Sequence, residues 1–197
     1  MNNKRFKLFW HETYLSFRHK RDVWFKPLSS LLLRWKISAN QVTSFRLFLA
    51  VLTPFLLGWN YWIVVVLMAF NLILDGIDGG MARMQLKSSI KGKVYDHVVD
   101  NVTFLLFVLG LIFWNIIDGF WAALYLINYL VVIFFNLQYH DLKKDGALMS
   151  KSRYILLLAF LLLTVINVNW LDYACVFCGM YLFTHNVFLI HLYISEL

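Results

Sequence analysis

The sequence predicts an all-α, polytopic membrane protein with six transmembrane helices and an N-terminal interfacial amphipathic helix. The chain is 61% hydrophobic and 15% charged, whereas soluble domains average about 45–50% apolar and about 25% charged residues. Six apolar stretches are each long enough to cross a hydrocarbon core of about 30 Å. The loops between these stretches alternate between basic loops and turns without Lys or Arg, as in proteins that cross a bilayer several times.

The first segment, residues 1–39, carries nine of the eighteen basic residues, interleaved with Trp10, Trp24, Phe25 and Trp35. Basic and aromatic residues together are typical of a helix lying in an anionic membrane interface. A flexible basic tail is the alternative. We predict an interfacial helical segment at 24–36, in which a short helix runs from Pro27 to Trp35, because proline is favoured at the first helical position.

The six spans are predicted at 41–59, 61–83, 92–114, 119–139, 153–168 and 170–194. Asn40 is the expected N-cap of the first span. Thr43 and Arg46 share one face of this span, which predicts that Arg46 turns toward the acidic residues at positions 75–100. Simple snorkelling of Arg46 to the interface is the alternative.

The charge distribution predicts the orientation. The 84–91 and 140–152 loops, with the span ends beside them, carry four basic residues each. The intervening turns carry none but contain Trp59, Trp114 and Trp170, which are typical interfacial belt residues. Both termini are therefore expected on the cytoplasmic side of an integral membrane protein. The basic residues have this membrane role, so no nucleic-acid partner is expected.

Four of the eleven acidic residues lie between positions 75 and 100, with apolar sequence on both sides. They are Asp75, Asp78, Asp96 and Asp100. Ionisable residues in membrane helices are costly and therefore indicate functional sites. Since no cluster of basic residues matches these acids in the sequence, bound cations are the expected partners.

Helical geometry places the first pair on one face. At about 100° per residue, Asp75 and Asp78 share their face with Gly79 and Ala82. Such small residues leave a hollow in which a ligand can approach the backbone.

The second pair has the same arrangement, because Gly92, Asp96 and Asp100 share a face of the next helix. If the two faces meet, the carboxylates converge on one site. Carboxylate oxygens suit Mg²⁺, Mn²⁺ or Ca²⁺, and four carboxylates suffice for a two-metal site that performs phosphoryl chemistry. A structural partner for another helix and a cation pathway through a carrier are the alternatives.

The order and spacing of these residues, D-x₂-D-G-x₂-A-R-x₈-G-x₃-D-x₃-D, resemble the signature of the CDP-alcohol phosphotransferase family. The eight signature positions are Asp75, Asp78, Gly79, Ala82, Arg83, Gly92, Asp96 and Asp100. The resemblance implies an integral membrane enzyme of phospholipid synthesis, in which an alcohol displaces CMP from a CDP-activated donor. Residues 40–197 would then form the six-helix catalytic domain.

The resemblance also implies roles for individual residues. Metal ligands would be Asp75, Asp78 and Asp96, with Asp100 as general base that also contacts a second metal. The nucleotide would bind at Asp75, Gly79, Ala82 and Arg83. The implied cofactor is two ions of Mg²⁺ or Mn²⁺, and family relatives often form homodimers.

The motif is shared by two reactions. In one, CDP-diacylglycerol donates a phosphatidyl group to a small polar alcohol. In the other, CDP-choline or CDP-ethanolamine donates its head group to diacylglycerol. The short chain favours the first, as do Lys151 and Arg153, which with Arg46 are candidate contacts for an acceptor phosphate. Asn101 and the Asp96-His97 pair favour the second.

The two cysteines, Cys175 and Cys178, form a C-x₂-C inside the last span. A metal or redox site would need a second pair or an exposed thiolate. We therefore predict that both are buried free thiols.

Overall fold

The computed structural model describes residues 23–85, 90–138 and 146–196, and all seven helices within these ranges are α-helices. They are α1 (23–34), α2 (Ala39–Leu56), α3 (Tyr61–Met84), α4 (Ile90–Phe113), α5 (Gly119–Gln138), α6 (Gly146–Ile166) and α7 (Leu171–Glu196). The all-α prediction is confirmed for this part of the chain. Most of the N-terminal segment lies outside it.

Helix α1 does not begin at Pro27, as the sequence suggested, because residues 23–26 are already helical. Pro27 is the fifth residue of this helix, so the helix continues through it without the hydrogen bond that an N–H at this position would donate to the carbonyl of residue 23. The helix ends with Lys36 in a left-handed conformation, φ 61°. The Ile37 amide donates to Leu32 O at 3.0 Å and the Lys36 amide to Leu33 O at 3.0 Å, which is a Schellman motif.

The N-cap of α2 is Ser38, and the prediction of Asn40 was wrong. The Gln41 amide donates to the Ser38 hydroxyl oxygen at 3.3 Å, and Gln41 Oε1 accepts from the Ser38 amide at 2.7 Å. This reciprocal pair is a capping box. It satisfies two backbone donors, whereas a cap at Asn40 would satisfy one, and it starts the helix two residues earlier.

Three helical stretches are long and apolar enough to cross a membrane by length and composition: Tyr61–Met84, Lys91–Phe113 and Leu171–His191. Gly119–Phe135 and Ser152–Ile166 are shorter apolar helices. The protein is therefore an integral membrane protein by its helices and composition. The full count of six spans stays a prediction.

The chain divides into two compact units, the first made of Met1–Leu52 and Val66–Thr103. Its core lies between α1, α2 and α3. The buried side chains there are Val42, Leu49, Leu74, Ile77 and Met81, with Phe25, Leu32, Leu33 and Ile37 packed against them. These residues pack α3 against α1 and α2.

The second unit is made of Thr53–Val65 and Phe104–Leu197. Helix α7 approaches α5 closely at Gly179, where a Cβ would lie 3.7 Å from the Tyr125 Cα. The Tyr125 hydroxyl is 3.1 Å from the Ser152 hydroxyl. Cys175 and Cys178 are buried free thiols, which confirms the sequence prediction.

Candidate active site

The carboxylates predicted to converge do so in the first unit. Asp75 and Asp78 extend from α3 and Asp96 from α4, and one carboxylate oxygen from each lies within 4.8 Å of the others. Asp78 is buried, at 3% exposure, while Asp75, Asp96 and Asp100 are 25%, 39% and 28% exposed. The cluster therefore has one buried carboxylate and three that reach solvent.

Arg46 of α2 lies among the four carboxylates. Its Nη1 is 2.9 Å from Asp78 Oδ2 and 2.7 Å from Asp96 Oδ1. Its Nη2 is 3.1 Å from Asp75 Oδ1 and also pairs with Asp100. The expectation that Arg46 turns toward the acids is confirmed. The premise that the acids lack a basic partner was wrong, because that partner comes from a helix distant in sequence.

Asn71 holds Arg46 in place and was not singled out from the sequence. Its Oδ1 accepts from Arg46 Nε at 3.2 Å, and its Nδ2 donates to the Arg46 carbonyl at 3.1 Å. A signal was present, because Asn71 is polar in an apolar helix and lies one turn before Asp75. That spacing puts both on one face.

Asp78 has one satisfied and one unsatisfied oxygen. The Thr43 hydroxyl donates to its Oδ2 at 2.8 Å, and the same oxygen accepts from Arg46. Its Oδ1 is buried and has no hydrogen-bond partner among the described residues. A buried carboxylate oxygen without a partner is costly, and a cation at this position would supply the missing interaction.

The charge balance also fits a cation. Four carboxylates contact the one guanidinium of Arg46. Gathering acidic groups where burial weakens solvation is costly unless cations offset their charge. Carboxylate oxygens are the ligands that Mg²⁺ and Mn²⁺ prefer, so the donor set suits a divalent metal, with Asp75, Asp78 and Asp96 as its holders.

The small residues of the motif lie on the half-exposed face of α3. Gly79, Ala82 and Arg83 are each partly exposed. The three atoms nearest to a Cβ at Gly79 would all belong to the Arg83 guanidinium, with Nη1 nearest at 3.3 Å. The guanidinium of Arg83 thus covers a position that has room for a ligand once this flexible side chain moves.

The opposite face of α3 packs on α1. A Cβ at Gly76 would lie 2.7 Å from the Phe25 ring, and one at Gly80 would lie 3.3 Å from the Ser29 hydroxyl. Ser29 also donates to Ile77 O at 3.5 Å. The glycines outside the signature therefore seat α1, while Gly79 inside the signature faces the acids.

The remaining candidate residues are placed as follows. Asn101 is buried, and its Nδ2 donates to the His97 carbonyl at 2.7 Å. Arg153 is half-buried in α6 of the second unit. The Lys151 side chain lies outside the described residues.

A solved structure with a related fold is the phosphatidylinositol phosphate synthase of Mycobacterium tuberculosis in its apo form. It is 19% identical, with a TM-score of 0.70 over 84% of this chain and 93% of that chain. This likeness shows a shared fold. A search of curated proteins found no match.

The sequence profile described as CDP-alcohol phosphatidyltransferase matches residues 36–190. That range includes every residue of the carboxylate cluster and the helices that carry them. The chain therefore belongs to the CDP-alcohol phosphatidyltransferase family.

Proposed function

We propose that this protein transfers a phosphatidyl group from CDP-diacylglycerol to a small polar alcohol and releases CMP, with divalent metal as cofactor. The observation that carries the proposal is the complete motif, folded so that three of its carboxylates offer oxygens within 4.8 Å of one another. The family uses divalent metal. The buried, unsatisfied Asp78 Oδ1 supports a cation here.

Asp75, Asp78 and Asp96 would hold the metal, which when bound neutralises charge on the pyrophosphate and on the departing CMP. Asp100 would accept the proton of the acceptor hydroxyl. The alcohol oxygen then bonds to the phosphorus of the phosphatidyl group, and the bond from that phosphorus to the CMP oxygen breaks. At 28% exposure, Asp100 is accessible enough for an acceptor to reach.

The nucleotide would lie along Gly79 and Ala82, where the helix has no bulky side chain. The Arg83 guanidinium lies over Gly79. It could hold a phosphate in two hydrogen bonds once displaced from Gly79. Binding of the nucleotide and movement of Arg83 would therefore be one event.

The donor is the finer part of the proposal. A chain of 197 residues resembles the compact phosphatidyl-transferring members, and Arg153 and Lys151 could grip an acceptor phosphate. Head-group transfer from CDP-choline or CDP-ethanolamine is the second candidate. It is favoured by Asn101, which stands where many members that use phosphorylated acceptors have Lys or Arg, and which is turned back onto its own helix.

The test supplies purified protein and Mg²⁺ with CDP-diacylglycerol and a panel of alcohols, including glycerol phosphate and inositol phosphate. A parallel series supplies CDP-choline or CDP-ethanolamine with diacylglycerol. Mass spectrometry of lipid products and CMP should find transfer in the first series. Products only in the second would replace the proposal by head-group transfer. Metal binding without CMP retention or product would favour a cation carrier.

If Arg153 contacts an acceptor phosphate, Arg153→Ala should raise the acceptor KM at least about tenfold, or about 1.4 kcal/mol. The donor KM should change little. Arg34→Ala, which removes an exposed arginine from α1, is the matched control. Equal acceptor KM values in both variants would remove Arg153 from the acceptor site.

We also propose that the active site and both termini face the cytoplasm and that the protein forms a homodimer.

A further inference from the structure

Arg46 contacts the same carboxylates that would hold a cation. Its two terminal nitrogens contact four carboxylates, and two of these contacts are with Asp78 Oδ2 at 2.9 Å and Asp96 Oδ1 at 2.7 Å. Asp78 and Asp96 belong to the group whose oxygens could hold a metal. One guanidinium therefore uses carboxylates of the ligand set implied for the divalent ion.

Arg46 is built into this position rather than resting there as a long surface side chain. Its side chain is 2% exposed. Asn71 fixes it at two points, the Nε and the backbone carbonyl. A buried arginine needs such partners, because an uncompensated buried charge costs several kcal/mol.

The guanidinium and a metal ion cannot use these oxygens together in this arrangement. Mg²⁺ binds carboxylate oxygens at about 2.0–2.1 Å. An ion at that distance from Asp78 Oδ2 and Asp96 Oδ1 would lie against Nη1, which is 2.9 Å and 2.7 Å from the same atoms. Two positive charges at such a separation repel strongly where solvent is excluded.

We propose that Arg46 is an internal counter-ion: it holds the four carboxylates together without metal, and it competes with divalent metal for them. A metal that uses Asp78 Oδ2 or Asp96 Oδ1 then requires the guanidinium to withdraw from that oxygen, while the unpartnered Asp78 Oδ1 is open to the ion in either case. Because the carboxylates are gathered in advance, they do not have to assemble against their mutual repulsion. The inference rests on the proposed metal site, and it adds that Arg46 weakens metal binding while stabilising the metal-free protein.

The test compares wild type, Arg46→Gln and Arg34→Gln in detergent. Arg34→Gln removes the same charge from the same unit at an exposed position. Free Mn²⁺ is measured by electron paramagnetic resonance, and unfolding temperature is measured with and without Mn²⁺. Arg46→Gln should bind Mn²⁺ at least about tenfold more tightly than wild type, or about 1.4 kcal/mol. It should unfold at a lower temperature without metal and recover when Mn²⁺ is added.

Other outcomes separate the possibilities. Wild-type Mn²⁺ binding with equal or weaker binding by Arg46→Gln would overturn the competition and leave the metal site standing. An equal loss of unfolding temperature with and without Mn²⁺ would make Arg46 a purely structural residue. If neither protein binds Mn²⁺, the metal site and the inference both fail.

If Arg46→Gln does not fold, a measurement on the wild-type protein tests whether Arg46 withdraws when metal binds. In protein labelled with ¹⁵N-arginine, the Nε–H of Arg46 should be the arginine signal most protected from hydrogen exchange, since that side chain is 2% exposed. Mg²⁺ should reduce this protection at the concentrations that saturate binding, and chelation should restore it. Unchanged protection at saturating Mg²⁺ would contradict the withdrawal of Arg46.

Discussion

At the scale of single residues, the sequence identified the acidic side chains but not what lies between them. Their spacing predicts shared helix faces, and that is a local property. The fourfold contact of Arg46 depends on how α2, α3 and α4 are placed, which no local pattern specifies. Periodicity could show only that Arg46 shares a face with Thr43, and both turn inward to Asp78. Asn71 was missed because a single polar residue in an apolar helix has many structural explanations.

Gly79→Ala should separate nucleotide binding from stability. The added Cβ would meet Arg83 Nη1 at 3.3 Å, and the end of a flexible side chain can move. Alanine also favours the helix by up to about 1 kcal/mol. We therefore expect an unchanged or higher unfolding temperature but CMP affinity reduced at least about tenfold, measured by isothermal titration calorimetry with Mg²⁺ present.

Gly80→Ala is the matched control for this substitution. It adds the same methyl group at the adjacent position, where the nearest atom is the Ser29 hydroxyl on the far side of α3. CMP affinity should be unchanged in this variant. Equal CMP affinities in the two variants would remove Gly79 from the nucleotide site.

At the scale of elements, the existence and type of the helices followed from the sequence, but some of their ends did not. The capping box at Ser38 and Gln41 is visible in the sequence, yet Asn40 is also a favoured capping residue and stands closer to the apolar run. Reading Pro27 as a first position was likewise wrong, because the four residues before it are already helical. Local preferences compete at helix ends, and tertiary contacts decide between them.

The contact of α1 with α3 predicts the effect of Gly76→Ala. A Cβ there would lie 2.7 Å from the Phe25 ring, and overpacking of this kind typically costs about 1–3 kcal/mol. We expect a lower unfolding temperature in detergent, restored when Phe25→Leu is added to make room.

Gly179→Ala serves as the comparison for Gly76→Ala. Its Cβ would make ordinary contact with Tyr125 at 3.7 Å, so this variant should be as stable as wild type or more so. If Gly76→Ala has the same unfolding temperature as Gly179→Ala, α1 does not pack closely on α3.

At the scale of the whole molecule, family membership makes this chain a CDP-alcohol phosphotransferase-type enzyme of phospholipid synthesis. It also implies a CDP-activated substrate and a lipid environment. Composition alone was enough to predict an integral membrane protein, because 61% hydrophobic residues exceed what a soluble core needs. The number of spans is harder to predict, since three helices are long and apolar enough for a span and two more apolar helices are shorter. Polar residues that are buried between helices lower the mean hydropathy of those helices, so a membrane-spanning helix can appear too polar for a bilayer.

The one-sided distribution of Lys and Arg predicts that the acidic motif opens toward the cytoplasm. Single cysteines test this in a background lacking Cys175 and Cys178. Asn60 and Asp118 accept hydrogen bonds from backbone amides at helix starts, so the exposed Trp59 and Trp170 are better sites. A membrane-impermeant maleimide should label Trp59→Cys and Trp170→Cys in intact cells.

The opposite side provides the comparison. Ser88→Cys and Gly146→Cys should react only after the cells are permeabilised. Labelling of these two from outside, with Trp59→Cys and Trp170→Cys shielded, would mean that the orientation is inverted.

The most direct test of the central claim is CMP release and metal binding in Asp75→Asn and Asp96→Asn. Each substitution keeps the size of the side chain but removes a carboxylate from the cluster whose oxygens lie within 4.8 Å of one another. CMP release from CDP-diacylglycerol, measured by mass spectrometry with and without Mg²⁺, should be lost in both variants, and Mn²⁺ binding should weaken, while the proteins still insert in the membrane. Transfer near the wild-type rate in both variants, or wild-type transfer that persists after complete chelation of divalent metal, would contradict the account.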